Sequence, residues 1–216
     1  MVNRSQLALR DAAEWLGDWH PLAEQLGSAD GLLANTPVTA LLGLPPVVDL
    51  PALRGLLAAY HERILFPLEL PAIFSAHKFA GFNGLRELVA LDREVSLDAK
   101  VRDFAAASRR VGQAQLDKLR PLKDERLLRR YIAAVEEGRA DGWHTLVYGV
   151  TLAVYSLPLR QGLLGYAHQT TRGFIYASAR PLRLSEHLCR QVFDEVAPGL
   201  SAGVGKMIAM APALAQ

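Results

Sequence analysis

Residues 142–182 read GWHTLVYGVTLAVYSLPLRQGLLGYAHQTTRGFIYASARPL, and the period of their apolar residues decides the fold. Trp143, Leu146, Val147, Val150, Val154 and Leu157 recur at three- and four-residue intervals, the stripe of a helix that Pro158 ends. A strand over Thr145 to Val154 would alternate too, but the helical period holds over more residues. The run from Trp143 to Leu159 carries no Asp, Glu, Lys or Arg, yet its 17 residues sit at the short limit for spanning a bilayer. His144, Tyr148 and Tyr155 interrupt it, so a buried core helix is predicted. A second helix, from about Leu159 to Ala179, buries Leu163, Leu164, Ala167, Phe174 and Ile175, with Pro181 at its end.

The same period extends outward in both directions. Asp124 starts a charged helix to about Glu137 that Gly138 closes. Ser96 begins a long helix to about Leu119, with Val101, Phe104, Ala105, Ser108, Val111, Gly112, Gln115 and Leu119 on one stripe and Arg102, Arg109, Gln113 and Arg120 opposite. Asn83 caps a segment to about Arg93. Asp49 caps a helix that opens with Pro51 and buries Leu53, Leu56, Leu57, Tyr60 and Ile64, after which Pro67 and Pro71 break the chain. Trp19 to Pro51 is rich in Pro and Gly and reads as loops with short helical turns; an N-terminal helix, about 4–16, precedes it. Beyond Ser185 a helix through Val196 stops at Pro198 and Gly199. The apolar tail, 200–216, carries one charge, Lys206, and reads as a last weak helix. The expectation is an all-α chain, a single domain over 1–216 with roughly ten helices.

Composition narrows the function. The 216 residues hold 24 Lys+Arg against 22 Asp+Glu, a net charge of +2 with the signs interspersed, which gives no basis for nucleic-acid binding. The single cysteine, Cys189, leaves no internal disulfide framework and fits a reducing, cytoplasmic setting. Arg4, Arg10, Asp11 and Glu14 interrupt what would be the apolar region of a signal peptide, so neither export nor a membrane role is expected.

No catalytic constellation emerges. His20, His61, His77, His144, His168 and His187 include no pair at i, i+4, so no metal site is expected. There is no Gly-x-Ser-x-Gly, and Gly203-Val204-Gly205-Lys206 lacks both the strand and the spacing of a phosphate loop. The expectation is therefore a chain that is no enzyme, without cofactor. Two features stand out. Gly142, Gly149, Gly162, Gly165, Gly173 and the run Ala105 to Ser108 supply small residues for close helix contact, inside the molecule or between subunits. Arg109, Arg110, Arg172 and Arg180 sit near apolar helix ends.

Residues 142–182 also resemble the C-terminal half of the urease accessory protein family UreF. The shared pattern runs through His144, Gly149, Leu157-Pro158, the Ala177 to Ala179 stretch and Arg180. Upstream, FAAASRRVGQAQL is similar to the family's Ser-Arg-x-x-Gly helix through Ser108, Arg109 and Gly112, and the likeness covers about residues 25–200. The family's early Gly-Gly-Phe-Ser-His-Ser-x-Gly-Leu-Glu stretch is degraded here to Gly31 and Val47-Val48-Asp49, and Arg183-Leu184-Ser185-Glu186 replaces its Pro-Leu-Gly-Gln.

The resemblance implies a non-catalytic nickel-insertion chaperone. It would be an all-helical homodimer joining a UreD/UreH-type accessory protein and apo-urease to the UreG-type GTPase. The partner-binding residues it implies are Ser108, Arg109, Gly112, Tyr148, Tyr166, Arg180, Lys206 and Met207, with the apolar tail from Leu200 to Leu214. Two other readings stay open. One is an interaction module serving another metalloenzyme or GTPase. The other is a helical enzyme with a small-molecule pocket lined by Trp143, Tyr148, Tyr155 and Tyr166.

Overall fold

Asp49 starts the first long helical run as its place before Pro51 predicts: its Oδ1 accepts from the Ala52 N–H at 2.8 Å, while Pro51 occupies the first turn, where no N–H is needed. The structure, a computed structural model, describes residues 35–98, 105–122 and 125–210. The expected N-terminal helix, Val101, Arg102, Phe104, Asp124 and Leu214 lie outside the described residues. Every regular element within them is helical: α1 (Asn35–Leu41), α2 (Leu50–Tyr60), a π-helical segment (His61–Glu69), α3 (Leu70–Gly81), α4 (Leu85–Leu97), α5 (Ala105–Leu119), α6 (Arg126–Glu136), α7 (His144–Val154), α8 (Leu159–Leu182) and α9 (Glu186–Met210). The fold is all-α.

Prolines punctuate this chain less than expected. Pro67 does not break it, because the run from α2 to α3 passes it in π-helical form. The Leu70 N–H bonds to the Leu65 carbonyl, five residues back, and the wider turn accommodates a ring that would strike the carbonyl four residues behind it in an α-helix. Pro71 then falls in the first turn of α3 and is harmless. Pro198 does not stop α9, which continues to Met210, and Pro181 falls within the last turn of α8. Two boundaries also move: Gly84, not Asn83, is the N-cap of α4, and α4 runs through Ser96 to Leu97 instead of a new helix beginning there.

α7 is the central element, with every residue from Gly142 to Leu152 buried. It shares this central position with α3, and each helix divides its faces between two cores. Leu70 and Ile73 of α3 and Tyr148 and Leu152 of α7 join a core with α1, α2, the π segment, α8 and α9. Ala72 and Ala76 of α3, with Trp143, Leu146, Val147 and Val150, join a second core with α4, α5 and α6. The two helices cross at Gly149, where an added Cβ would strike the Ile73 carbonyl oxygen and sit 2.9 Å from Ala76 Cβ. This glycine serves packing within the chain, as does Gly162, whose missing side chain is replaced by that of Leu152.

Gly149→Val is expected to destabilise the protein by about 2–4 kcal/mol, because rigid backbone blocks the new atoms. Gly55 in α2 and Gly205 in α9 face open space, so Gly55→Ala and Gly205→Ala should each raise stability by about 0.5–1 kcal/mol. Thermal unfolding of the three variants checks both signs.

Candidate interaction site

The helix bearing Ser108, Arg109 and Gly112 packs against the chain that enters α7. Gly112 makes the approach possible: a Cβ there would strike the Gly142 carbonyl oxygen and stand 2.8 Å from the His144 nitrogen. Gly142 itself has φ +73°, a left-handed conformation that favours glycine. Four side chains from two helices, α4 and α5, fasten this loop. Asp92 of α4, fully buried, accepts from Tyr131 Oη at 2.6 Å, the Asp141 N–H at 2.6 Å and the Gly142 N–H at 3.1 Å. Arg109 Nη1 lies 3.0 Å from Asp141 Oδ1, and Gln113 Nε2 donates to the Asp141 carbonyl at 3.0 Å. Ser96 Oγ accepts from Trp143 Nε1 at 2.7 Å and donates to Asp141 Oδ2, and Arg109 lies 5.8 Å from the Trp143 ring centre.

Electrostatics match these contacts. Burial raises the Asp92 carboxyl above the usual range against the pull of its three donors, and burial with the Asp92 charge holds the Tyr131 phenol protonated. Partial burial pushes Asp141 up, but Ser96 and Arg109 bring it below the usual carboxylate range. Asp92, Ser96 and Asp141 are not among the residues that the sequence points to as a site. Asp92 was legible as a carboxylate four residues after Leu88, on the apolar stripe of its helix.

A second polar cluster lies on the far side of α7. Tyr60 Oη donates to Glu69, Tyr166 also bonds Glu69, and Tyr148 Oη donates to the Gly162 carbonyl at 3.0 Å. The Tyr148 and Tyr166 rings stand 5.2 Å apart, and His144 is 5.7 Å from Tyr166. His144 Nδ1 donates to Gln115 Oε1 at 3.2 Å, tying this cluster back to α5. Burial dominates here, pushing Glu69 up to about 7 and His144 down to about 4.

The residues expected to bind partners separate by burial. Ser108, Gly112, Tyr148 and Tyr166 are buried within the chain; their side chains build the frame of α5, α7 and α8. Arg109 is half-exposed; Arg180, in the last turn of α8, and Lys206 on α9 are exposed; Met207 packs partly on the first core. The tail up to Met210 belongs to α9, with Val204 buried and Ile208 against the core. Trp143, Tyr148, Tyr155 and Tyr166 do not line one pocket, because Tyr148 and Tyr166 pack in the first core while Trp143 and Tyr155 belong to the second. Among the described residues no group of three or more His, Cys, Asp or Glu gathers closely enough to hold a metal ion, and no helix is long and apolar enough to cross a membrane.

Gly112→Ala is expected to cost about 2–4 kcal/mol, since the loop carbonyl must move. Arg109→Ala should cost at most about 1 kcal/mol, its ion pair being largely solvated. Chemical denaturation distinguishes the two. A pH series tests Glu69. Its raised folded pKa, about 7, means the native state binds more protons than the unfolded chain between pH 4.5 and 7, so this group alone lowers stability as pH rises through that window. His61, His144 and His168, each held near 4 by burial, act oppositely: each lowers stability as pH falls from 6.5 to 4. The melting temperature should thus climb from about pH 4.5 to 6.5, and Glu69→Gln should steepen the climb.

A search of curated proteins returns no match to this chain. The sequence profile of the UreF family, described simply as UreF, matches residues 47–195, well over half of the chain and all of it from the N-cap region of α2 to the middle of α9. That span includes the Gly112–Gly142 contact, both polar clusters and Arg180. The chain therefore belongs to UreF, a family of urease accessory proteins.

Proposed function

We propose that this protein, acting as one helical unit over its whole length, bridges a UreG-type GTPase and a UreD/UreH-type protein on apo-urease. Nickel, the cargo, then passes to the enzyme in a GTP-dependent step. The observation that carries the reading is the UreF match over residues 47–195. Work of this kind needs shape and a stable frame more than reactive groups. The buried fastenings of the 139–144 loop supply such rigidity, and the exposed cations supply contact points. Arg109, Arg180, Lys206 and the exposed edge of Met207 are assigned to partner contact, and Ser108, Gly112, Tyr148 and Tyr166 to holding those surfaces in place. The protein is expected to work as a homodimer in the cytoplasm, without performing covalent chemistry.

Co-purification with the two accessory partners, followed by urease activation in cells lacking their own UreF, tests this. The wild-type chain should be retained by both partners and restore activity; retention by neither overturns the reading. Arg180→Ala should abolish complex formation while moving the melting temperature by no more than about 2 °C, as an exposed substitution does. Removing the chain from Ala202 onward is a poor test of contact, since it also removes buried Val204. Lys206→Glu leaves the packing intact and should weaken capture.

A further inference from the structure

α3 and α4 form a helical hairpin whose three-residue connection turns the chain back on itself. Between the two helices, over the start of α7 and Ser108 of α5, lies a half-open groove of about 570 Å³. Leu68 of the π-helical segment with Ala72, Ser75 and Phe79 of α3 make one wall, mostly apolar; the α4 wall presents Ala90, Leu91 and Val95. Along the α4 wall stand three carboxylates, Glu87, Glu94 and Asp98, and Glu69 closes the inner end. Large apolar side chains lie exposed close by: Phe82, packed edge-on against Phe79, and Leu97, 82% exposed.

Glu87 has a local explanation, since the first turn of a helix favours a negative charge. Glu94 has the opposite placement: it sits in the last turn of α4, where the helix dipole disfavours a carboxylate. The last turn of α4 contains no basic residue, and among the described residues no ion pair includes Glu94. An apolar trough with such a rim complements a segment that is apolar on one face and cationic on its flank. α4 spans about 20 Å, room for roughly three to four turns of a docked helix.

We infer that the groove between α3 and α4 seats a basic amphipathic segment of one of the two accessory partners. This rests on the bridging role proposed above and assigns one of its contact surfaces.

The test uses the full chain with both partners at low salt. Glu94→Lys should reduce capture of one partner about tenfold and Glu94→Gln by less, with capture of the other partner retained, because a groove charge reversal acts on one interface. The Lys variant suits the helix end, so the melting temperature should hold within about 2 °C. In a Cys189→Ser background, a photo-crosslinker on Ala90→Cys should join a Lys/Arg-bearing segment of that partner, whereas one on Arg130→Cys, on exposed α6 surface, should not. Undiminished capture by Glu94→Lys, or no crosslink from position 90, overturns the groove assignment and leaves the bridging role standing. A crosslink from position 90 back into the same chain or into a second copy also overturns it. A wild-type chain that captures neither partner overturns the bridging role and the groove assignment together.

Discussion

The crossing of α3 and α7 at Gly149 is the contact on which both cores depend. A helix buried on all sides has no solvent face to absorb error, so every side chain of α7 must suit one neighbour or another. Its backbone polar groups are satisfied within the helix, which leaves packing as the problem to solve. At Gly149 the solution is to remove the side chain altogether and set helix backbone against helix backbone. Glycine inside a helix costs up to about 1 kcal/mol relative to alanine. The offset is cohesion: α3 and α7 then present Leu70, Ile73, Tyr148 and Leu152 to one core and Ala72, Ala76, Leu146 and Val150 to the other. Neither core closes without the two helices at this separation.

The loop entering α7 carries the complementary burden. Three donors converge on Asp92, and two of them are main-chain N–H groups at Asp141 and Gly142. An unmet buried donor costs about 1–3 kcal/mol, so an apolar residue at position 92 would leave all three in deficit. Ser96, Arg109 and Gln113 then bind Asp141 and Trp143 from outside, and the half-exposed Arg109–Asp141 pair contributes little to stability. This division explains why a motif helix can hold one residue that is wholly internal, Gly112, beside one that reaches solvent, Arg109. Close approach and recognition are separate tasks on adjacent faces.

Much of this was legible in the residues themselves. The all-helical class, the Asp49 cap, the closing of α6 at Gly138 and the burial of the 143–157 stripe follow from period, capping and turn chemistry, all local. Pro67, Pro198 and Ser96 each carry a local signal to stop or start a helix, and in each case the helix runs past it: Pro67 lies in a π-helical stretch, α9 continues beyond Pro198 to buried Leu200 and Val204, and α4 extends through Ser96 to Leu97. Tyr148 and Tyr166, which the family resemblance assigns to partner binding, are buried in the first core: an aromatic on a helical stripe shows that it faces something, not whether that is its own chain. The acidic rim of the groove was not legible. Glu87, Glu94 and Asp98 are ordinary solvated charges until α3 is placed opposite them.

The π-helical segment links these regions. In an α-helix, residues nine apart lie on opposite faces and about 13.5 Å apart along the axis, so Tyr60 and Glu69 could not meet. With i→i+5 bonding each turn takes roughly one residue more, nine residues make roughly two turns, and the Tyr60 hydroxyl reaches the Glu69 carboxyl. Pro67, whose ring would break an α-helix, lies within this widened stretch and is compatible with it. The changed phase carries through α3, which leaves the segment with Leu70 and Ile73 turned to one core and Ala72 and Ala76 to the other. It also puts Glu69 where two environments meet, bonded to tyrosines of the first core while lining the inner end of the groove beside the second. One side chain thus touches both the buried tyrosine cluster and the groove.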